Sequence, residues 1–403
     1  MTLDRDAFEQ AAERLAPFIH HTELDRSVTF SRMAGGHVYL KCENRQRTGS
    51  FKIRGAGNKI ASMAERGEKT PVVASSAGNH AQGVAYAASR FGVPATIVMP
   101  TSAPIAKVQA TEGYGAKVVL TGTCYDDTYE EALRIARDDK ATFIHPYDDE
   151  EVIAGQGTIG LEILRDLPGV DTIVVPAGGG GLLSGVAAAV KQMNPRVRII
   201  GVQAEGADAI AQSFRAKKRI VTKDARTIAD GIAVKAPGEK TVALINEYVD
   251  DVVTVSDTEI ADAILLLIER CKQVVEPAGA SSLAALLSRK IDTDGKRSVA
   301  VLSGGNIDVS FIESIIERGL VARGRRIKFL VRLVDRPGSL MNLLSIIAKD
   351  GANILTVEHD KLVIGLNPNE TSVHIACEVG GKDHSARLIR DITAAGFTVE
   401  TEE

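Results

Sequence analysis

Short apolar runs rich in β-branched residues alternate with stretches of helical periodicity along most of the sequence. Representative pairs of strand-like and helix-like segments are residues 70–76 with 79–91, 172–176 with 182–193, and 298–302 with 311–320. Near-continuous apolar strands that are each followed by an amphipathic helix indicate parallel strands buried beneath helices. The sequence therefore predicts an α/β fold with helices on both faces of its sheets.

The alternating segments fall into two clusters, residues 50–150 and 155–320. We interpret residues 1–322 as one catalytic domain, in which a small lobe of roughly residues 50–150 is inserted in a larger lobe. Ligands of such sheets bind outside the carboxyl ends of the strands. The residues that directly follow each strand are therefore the first candidates for a functional site.

The character of the sequence changes at the basic, glycine-containing segment ARGRRIKFLVRL, residues 322–333. The periodicity that follows predicts the order β-α-β-β-α-β, which is the ferredoxin-like arrangement. About 75 residues are enough for a small separate domain. We therefore place a second domain at residues 327–403.

Composition excludes several classes of protein. A net charge of −4 over 403 residues gives no sign of nucleic-acid or membrane binding. The four cysteines are far apart and include no CxxC pair, so neither a disulfide framework nor a zinc site is expected. The N-terminus lacks the basic and apolar regions of a signal peptide. We expect a cytoplasmic protein with a small-molecule substrate.

Four consecutive glycines, Gly178 to Gly181, lie between a predicted strand and a predicted helix. A turn without side chains offers backbone N–H groups and a positive helix end to a phosphate group. The segment matches neither common nucleotide-binding motif. The alternative is a tight turn that close packing requires, and the sequence leaves both interpretations open.

Two further strand ends and one lysine carry polar groups. The segment ASSAGNHAQG places Ser75, Ser76, Asn79 and His80 at the start of a helix, where plain N-capping is the alternative. The segment VLSGGN brings Ser303 to another strand end, and Lys52 lies in SFKIRGA. A phosphate-bearing cofactor that is held covalently by a lysine would account for all of these groups together.

The motifs SFKIRGA, SAGNHAQG, GGGGL and LSGGN, in this order, closely resemble those of the fold-type II pyridoxal-phosphate enzymes. Within that family the sequence is most similar to the threonine dehydratases (threonine ammonia-lyases). The resemblance covers roughly residues 5–320 and implies a two-lobed body like that of the tryptophan synthase β subunit. The last 75 residues resemble an ACT regulatory domain.

The resemblance implies a cofactor role for each motif. Lys52 would bind pyridoxal 5'-phosphate covalently, and Phe51 would pack beside the cofactor. Asn79 would contact its ring hydroxyl, and Ser303 would pair with its pyridine nitrogen. The phosphate would be held by the backbone amides of Gly178, Gly179, Gly180, Gly181 and Leu182.

The resemblance also implies the reaction. The substrate carboxylate would be received by Ser76, Ala77, Asn79 and His80, and Lys52 would act as the general base. The expected products are 2-oxobutanoate and ammonia from L-threonine, and pyruvate and ammonia from L-serine. The related serine racemases carry a second serine where this sequence has Ala77, so racemisation should be poor.

Other activities remain as alternatives. A serine racemase or a hydroxyaspartate dehydratase of the same fold would share most of the motifs. A non-catalytic amino-acid sensor built on an inactive enzyme body is a third interpretation. The presence of Lys52, Asn79, the glycines and Ser303 argues against the sensor.

Several remaining residues have weaker signals. Relatives with a divalent cation place carboxylates where this sequence has Gln203, Ala207 and Ala209, so no metal site is predicted, and a monovalent cation held by backbone groups is the alternative. Glu276 begins a helix and either approaches the cofactor cleft or acts only as a dipole partner of that helix, and we favour the second interpretation. Arg54 should face away from the lysine.

By resemblance, Gly231 would lie against the cofactor ring. ACT domains bind amino acids at the turn after their first strand. Here that turn is DRPGSL, in which Gly338 allows close approach of a ligand. Isoleucine and valine are the candidate effectors, and a domain that only mediates oligomerisation is the alternative. We expect a homo-oligomer, a dimer or a tetramer.

Overall fold

The computed structural model describes residues 3–361, 367 and 369–402. The remaining positions of the two predicted domains (1–2, 362–366, 368 and 403) lie outside the described residues. The chain divides into two compact units, Met1–Ile307 and Asp308–Glu403. This division precedes the joint predicted at residues 322–327, because the helix Val309–Ala322 packs against the first strand of the second unit.

The first unit contains ten strands and twelve α-helices among its described residues. The strands are β1 (Leu24–Ser27), β2 (His37–Lys41), β3 (Val72–Ser75), β4 (Ala95–Met99), β5 (Lys117–Leu120), β6 (Thr142–Phe143), β7 (Thr172–Pro176), β8 (Arg198–Ala204), β9 (Asp251–Val255) and β10 (Arg297–Val301). The helices are α1 (Arg5–Leu15), α2 (Val28–Ala34), α3 (Lys52–Glu65), α4 (Asn79–Phe91), α5 (Ile105–Gly113), α6 (Tyr125–Asp138), α7 (Glu150–Asp166), α8 (Gly181–Met193), α9 (Ala209–Ala216), α10 (Glu239–Tyr248), α11 (Asp257–Leu266) and α12 (Pro277–Leu287).

These strands form two sheets, as expected of an α/β body. The larger sheet has the order β1-β2-β10-β7-β8-β9, and only the β1–β2 pair is antiparallel. The smaller sheet has the order β5-β4-β3-β6 and is wholly parallel. Every residue of β3 and of β7 is buried, which is the pattern expected of strands covered on both faces.

Each sheet of the first unit has its own hydrophobic core. Around the larger sheet, side chains such as Ile173, Leu183 and Val299 pack together, and Phe51 belongs to the same cluster. The smaller sheet packs against α3 and α4 through side chains such as Ile60 and Val84. Because α3 begins at Lys52, this packing also fixes the position of the lysine.

The second unit has the predicted order βαββαβ, preceded by one helix. Its elements are α13 (Val309–Ala322), β11 (Arg326–Val334), α14 (Ser339–Asp350), β12 (Asn353–Asp360), β13 (Glu370–Glu378), α15 (Lys382–Ala394) and β14 (Thr398–Glu402). The sheet order is β12-β13-β11-β14, and all pairs are antiparallel. Its core includes Phe329, Leu343 and Ile392. Among the described residues of the whole chain, no helix has the length and apolar character needed to cross a bilayer.

Candidate active site

A cavity of about 610 Å³ lies in the first unit, lined by the loops that follow β3, β7 and β10. It is lined by the side chains and backbone groups that the sequence motifs single out. These are Phe51, Lys52, Ser76, Ala77, Asn79, His80, Gly178, Gly179, Gly180, Gly181, Leu182 and Ser303. Segments that are far apart in the sequence thus meet at the carboxyl ends of the strands, where ligands of such sheets bind.

Lys52 is the first residue of α3 and is half-buried at the cavity wall. The segment before it is tied to the end of β10, since the Phe51 amide donates to the Ser303 carbonyl at 3.0 Å. The lysine Nζ donates to the carbonyl of Pro146 at 2.8 Å. Burial lowers the pKa of Lys52 to about 8, although the charge of Glu276 opposes the shift. A larger share of neutral amine is therefore available than an ordinary lysine offers.

Arg54 faces away from the cavity, as expected, and is completely buried. Its guanidinium donates to both carboxylate oxygens of Glu43 at 2.8 Å, and to those of Glu162 at 2.7 and 2.9 Å. The buried Lys41 ammonium lies 2.6 Å from a Glu162 oxygen. We call Lys41, Glu43, Arg54 and Glu162 the buried ion network. It connects the first turn of α3 to β2 and α7 and so supports the segment that carries Lys52.

The four glycines connect β7 to α8. Gly180 has φ +99°, and a Cβ atom at Gly179 would collide with the ring of Tyr147. Close packing therefore accounts for glycine at these positions. The first amides of a helix have no acceptor within it, and those of α8 lie at the cavity. The glycine loop is therefore a tight turn that packing requires, and it also presents the backbone amides that an anion site needs.

Asn79 begins α4 and is held from two sides. Its Nδ2 atom lies 2.7 Å and 2.9 Å from the two carboxylate oxygens of Glu276. Its Oδ1 atom accepts from Nδ2 of Asn306 at 2.5 Å. The interpretation of Glu276 as only a helix-dipole partner was therefore wrong, because its carboxyl group lines the cavity and bonds Asn79.

The loop predicted to receive the substrate carboxylate, residues 76–80, lines the cavity. Ser76 accepts a hydrogen bond from the amide of Gly78 at 3.1 Å. The His80 ring is buried and donates from Nε2 to the carbonyl of Ile144 at 2.8 Å. Burial first, and then the charge of Lys52, lowers the pKa of His80 to about 3. Its ring is thus neutral and serves the fold, which leaves the backbone amide as its contribution to the cavity.

A turn that the sequence analysis missed, His145–Asp148, also borders the site. His145 Nδ1 accepts from the amides of Tyr147 and Asp148 at 3.2 and 2.8 Å. The Tyr147 hydroxyl donates to the carbonyl of Ala236 at 2.9 Å, and its ring covers the glycine loop. A histidine–proline pair one residue beyond the end of β6 is the signal that could have drawn attention to this turn.

The remaining expectations concern three positions. Ser303 follows β10 and is buried at the cavity wall, and Gly231 lines the cavity as the resemblance implies. Gln203 is buried, and its Oε1 atom accepts from the amide of Ala211 at 2.8 Å. In the part of the chain that the structure describes, no cluster of three or more His, Cys, Asp or Glu side chains could hold a metal ion.

These residues fit pyridoxal phosphate. An amine with a lowered pKa can form a covalent bond with an aldehyde. Backbone amides at a helix N-terminus can hold a phosphate group. The Ser303 hydroxyl, the Asn79 side-chain amide and the Phe51 ring line the same cavity and can supply the other contacts that a polar aromatic ring needs.

Comparison with known proteins agrees with this site. The family model described as "Pyridoxal-phosphate dependent enzyme" matches residues 15–304. An L-threonine ammonia-lyase of Thermotoga maritima is 49% identical over 391 residues, which is 97% of each chain. Among solved structures, a processed threonine deaminase of Solanum lycopersicum shares 36% identity and a TM-score of 0.74 over 78% of this chain and 88% of that one.

The serine racemase of maize is similar as well, with 38% identity and a TM-score of 0.74 over 79% of this chain and 98% of that one. The fold alone therefore does not separate dehydratases from racemases. The family itself is shown by the matched model, by the full-length relative and by the gathered site residues. The chain belongs to the family of pyridoxal-phosphate dependent enzymes.

Proposed function

We propose that this protein is an L-threonine ammonia-lyase, which converts L-threonine to 2-oxobutanoate and ammonia and also accepts L-serine. The observation that carries the proposal is the Lys52 amine, which has a lowered pKa and faces a cavity that the family's cofactor motifs line. The nearly full-length similarity to an L-threonine ammonia-lyase supports the choice of substrate.

The family resemblance assigns the cofactor-binding residues, and their places around the cavity support this assignment. Lys52 would hold pyridoxal phosphate covalently, Phe51 would pack on it, and Gly178 to Leu182 would bind its phosphate group. Asn79 and Ser303 would contact the ring hydroxyl and the ring nitrogen. When bound, the cofactor accepts the electron pair that is released at the substrate α-carbon.

The chain itself supplies orientation and proton transfer. Amides of residues 76–80 at the N-terminus of α4 would hold the substrate carboxylate, so that the α-carbon faces Lys52. The neutral Nζ atom of Lys52 would then take the α-proton. Because Pro146 already accepts a hydrogen bond from Nζ, the amine has a defined position when it is not bound to the cofactor.

Ala77 favours elimination over racemisation. Racemisation needs a proton donor on the face of the substrate opposite the lysine. Ala77 lines the cavity but has no group that can donate a proton. A substrate deprotonated by Lys52 would therefore lose its β-hydroxyl rather than regain a proton on the other face.

The test is an assay of the purified, cofactor-loaded protein. We expect 2-oxo acid release from L-threonine, a slower release from L-serine, and little formation of D-serine. Release that is fastest from 3-hydroxyaspartate would favour the hydroxyaspartate dehydratase instead. Ala77→Ser is the matched variant and should raise the ratio of racemisation to elimination. A protein that binds the cofactor and releases no 2-oxo acid from threonine would contradict the proposal.

We further propose that the second unit is an ACT domain that binds an amino acid. Its βαββαβ order and its sheet order support this assignment. At the turn after β11, Gly338 has φ +91° and directly precedes α14, so backbone amides of a helix N-terminus are presented there. Isoleucine and valine are the first candidates, and the unit would also join copies of the chain in a homo-oligomer.

Threonine kinetics in the presence of each of the twenty amino acids test this assignment. A change in KM or kcat with isoleucine or valine, lost in Gly338→Val, is the expected result. If no amino acid changes the kinetics, the second unit does not bind an effector of this reaction. If removal of the second unit also changes the oligomeric state, oligomerisation is the role of that unit.

A further inference from the structure

Glu276 precedes α12 but does not cap it. Its backbone is extended, and its side chain makes no hydrogen bond to the first amides of its own helix. Instead, its carboxyl group points into the cavity and accepts from Nδ2 of Asn79 at 2.7 and 2.9 Å. Glu276 is only 5% exposed, and its carboxyl group bonds a residue that is distant in the sequence instead of the first amides of its own helix.

The orientation of the Asn79 side chain follows from its two neighbours. Asn306 donates from Nδ2 to Oδ1 of Asn79 at 2.5 Å and to the carbonyl of Thr48 at 2.9 Å. The Asn79 carbonyl must therefore face Asn306, and its NH₂ group must face Glu276. An NH₂ group has two hydrogens, so one can bond the carboxylate while the other can serve as a donor to a ligand in the cavity.

The surroundings leave space for the Glu276 carboxyl and little space for anything larger. A Cβ atom at Gly304 would overlap its Oε1 atom, and one at Gly231 would lie 3.8 Å from the same atom. Both positions are glycine. The carboxyl group is therefore held between two backbone segments that border the cofactor site.

The charged groups around Glu276 act in opposite directions. Burial raises the pKa of Glu276 to about 7, the Asn79 hydrogen bond lowers it, Asp230 raises it, and Lys107 lowers it. The Asn306 backbone hydrogen bond also lowers it, and the Lys52 amine on α3 feels the charge of Glu276. The carboxyl group therefore gains or loses its proton close to neutral pH.

We propose that Glu276 is a positioning residue that directs the Asn79 amide toward the bound cofactor, and that protonation of its carboxyl loosens this hold. This inference rests on the binding of pyridoxal phosphate in the cavity. A carboxylate presents acceptors to the Asn79 NH₂ group at both oxygens. A protonated carboxyl keeps its carbonyl oxygen as an acceptor, but its other oxygen carries an O–H donor that faces the Asn79 N–H donors, so one of the two acceptors is lost. The contact between the Asn79 amide and the cofactor ring therefore depends on whether the Glu276 carboxyl is protonated.

The visible absorbance of the cofactor-loaded protein, measured against pH, is the first test. We expect a spectral transition with a midpoint near pH 7, the pKa of Glu276, and its loss in Glu276→Gln. Two further variants move the midpoint without touching Glu276. Asp230→Asn removes a neighbouring negative charge and should lower the midpoint, whereas Lys107→Met removes a positive charge and should raise it.

A second readout does not involve the loaded enzyme. In cofactor-free protein labelled with ¹⁵N-asparagine, the side-chain amide signal of Asn79, identified by its absence in Asn79→Ala, should shift with the same midpoint. In Glu276→Gln the signal should be independent of pH over that range. A residue with a merely structural role would not make the Asn79 signal titrate.

The outcomes are distinguishable from a failure of the proposed function. A protein that gains no visible absorbance with pyridoxal phosphate would refute cofactor binding itself. A coloured protein that has no transition near pH 7, or whose transition persists in Glu276→Gln, would overturn the role of Glu276. Opposite shifts in Asp230→Asn and Lys107→Met support it even if Glu276→Gln folds poorly, and shifts in one direction or none refute it.

Discussion

The two units of this protein place their polar groups differently. In the first unit, charged and amide side chains lie deep in the interior, where Lys41, Glu43, Arg54, Asn58 and Gln156 are all buried. In the described part of the second unit, the buried polar residues are Thr371 and Ser372, the Asp350 side chain is a largely buried carboxylate, and the core cluster is apolar. Buried polar side chains with specific partners, as in the first unit, determine the orientation of the groups around them. An apolar core, as in the second unit, contributes mainly by removing side chains from water.

The difference shows where each unit can do chemistry. Buried, fully bonded charges specify where a side chain or a helix end must lie, and the lysine cavity depends on such positions. The second unit is one antiparallel sheet packed with its helices, and most polar side chains in its described part lie on the surface. The predictions below test this contrast, beginning with the largest expected effect.

Replacing Lys52 should have the largest effect on activity. Lys52→Ala removes the amine that we assign as general base, and a loss of about a thousandfold or more in kcat is expected. The visible absorbance of the bound cofactor should also be lost. Lys349→Ala, an exposed lysine in the second unit, is the control and should leave both unchanged. Equal losses of kcat and absorbance in the two variants would contradict the assignment of the chemistry to the first unit.

Breaking the buried ion network should strongly destabilise the first unit. Arg54→Met leaves Glu43 buried without its cation, at a cost of about 3–5 kcal/mol in the free energy of unfolding. The matched variant in the second unit is Arg332→Met, which removes the exposed ion pair with Glu400 and should cost about 1 kcal/mol or less. Urea unfolding followed by circular dichroism measures both, and similar costs would argue against the contrast.

A core truncation tests the second unit by itself. Leu343 is fully buried, and Leu343→Ala should lower the stability of the second unit by about 3 kcal/mol through lost burial and a residual cavity. The absorbance of the cofactor bound to the first unit should not change. A change in that absorbance under native conditions would show that the two units depend on each other more closely than their separate cores indicate.

The smallest expected effect concerns pH. Burial raises the pKa of Asp350, but the bonds from Arg387 and His384 outweigh it, so the net pKa is below the usual value. A depressed pKa contributes stability above the unfolded pKa, about 3.9, and this contribution is lost as pH falls through the folded value. Asp350→Asn should therefore destabilise the second unit at about pH 7 and have less effect at about pH 3. An equal effect at both pH values would contradict this account.

Much of the fold could be predicted because local periodicity determines it. Helix α4 occupies residues 79–91 as predicted, and the segments 172–176 and 298–302 contain β7 and most of β10. The site motifs could be found because each lies close to the end of a strand or the start of a helix. Ligands of parallel sheets bind at the carboxyl ends of the strands, so these segments could be expected to meet at one site without any knowledge of tertiary contacts.

What could not be predicted depends on contacts between residues far apart in the sequence. The bond between Asn79 and Glu276 spans 197 positions, and that between Arg54 and Glu162 spans 108. Periodicity does not indicate such a pair, so the sequence could not decide between a cavity role and a helix-dipole role for Glu276. The packing of helix α13 against β11 is likewise a tertiary contact, and the amphipathic pattern of the helix does not indicate it.

The place of β2 in the larger sheet has a consequence for synthesis of the protein. β2, at residues 37–41, pairs with β10, at residues 297–301, and β10 lies between β2 and β7. A nascent chain on the ribosome can complete its small parallel sheet early, but the larger sheet must wait until β10 has emerged. Domains fold as units during translation, and distant pairings form slowly. The cavity that Lys52 and Ser303 line is therefore complete only when nearly the whole first unit has been translated.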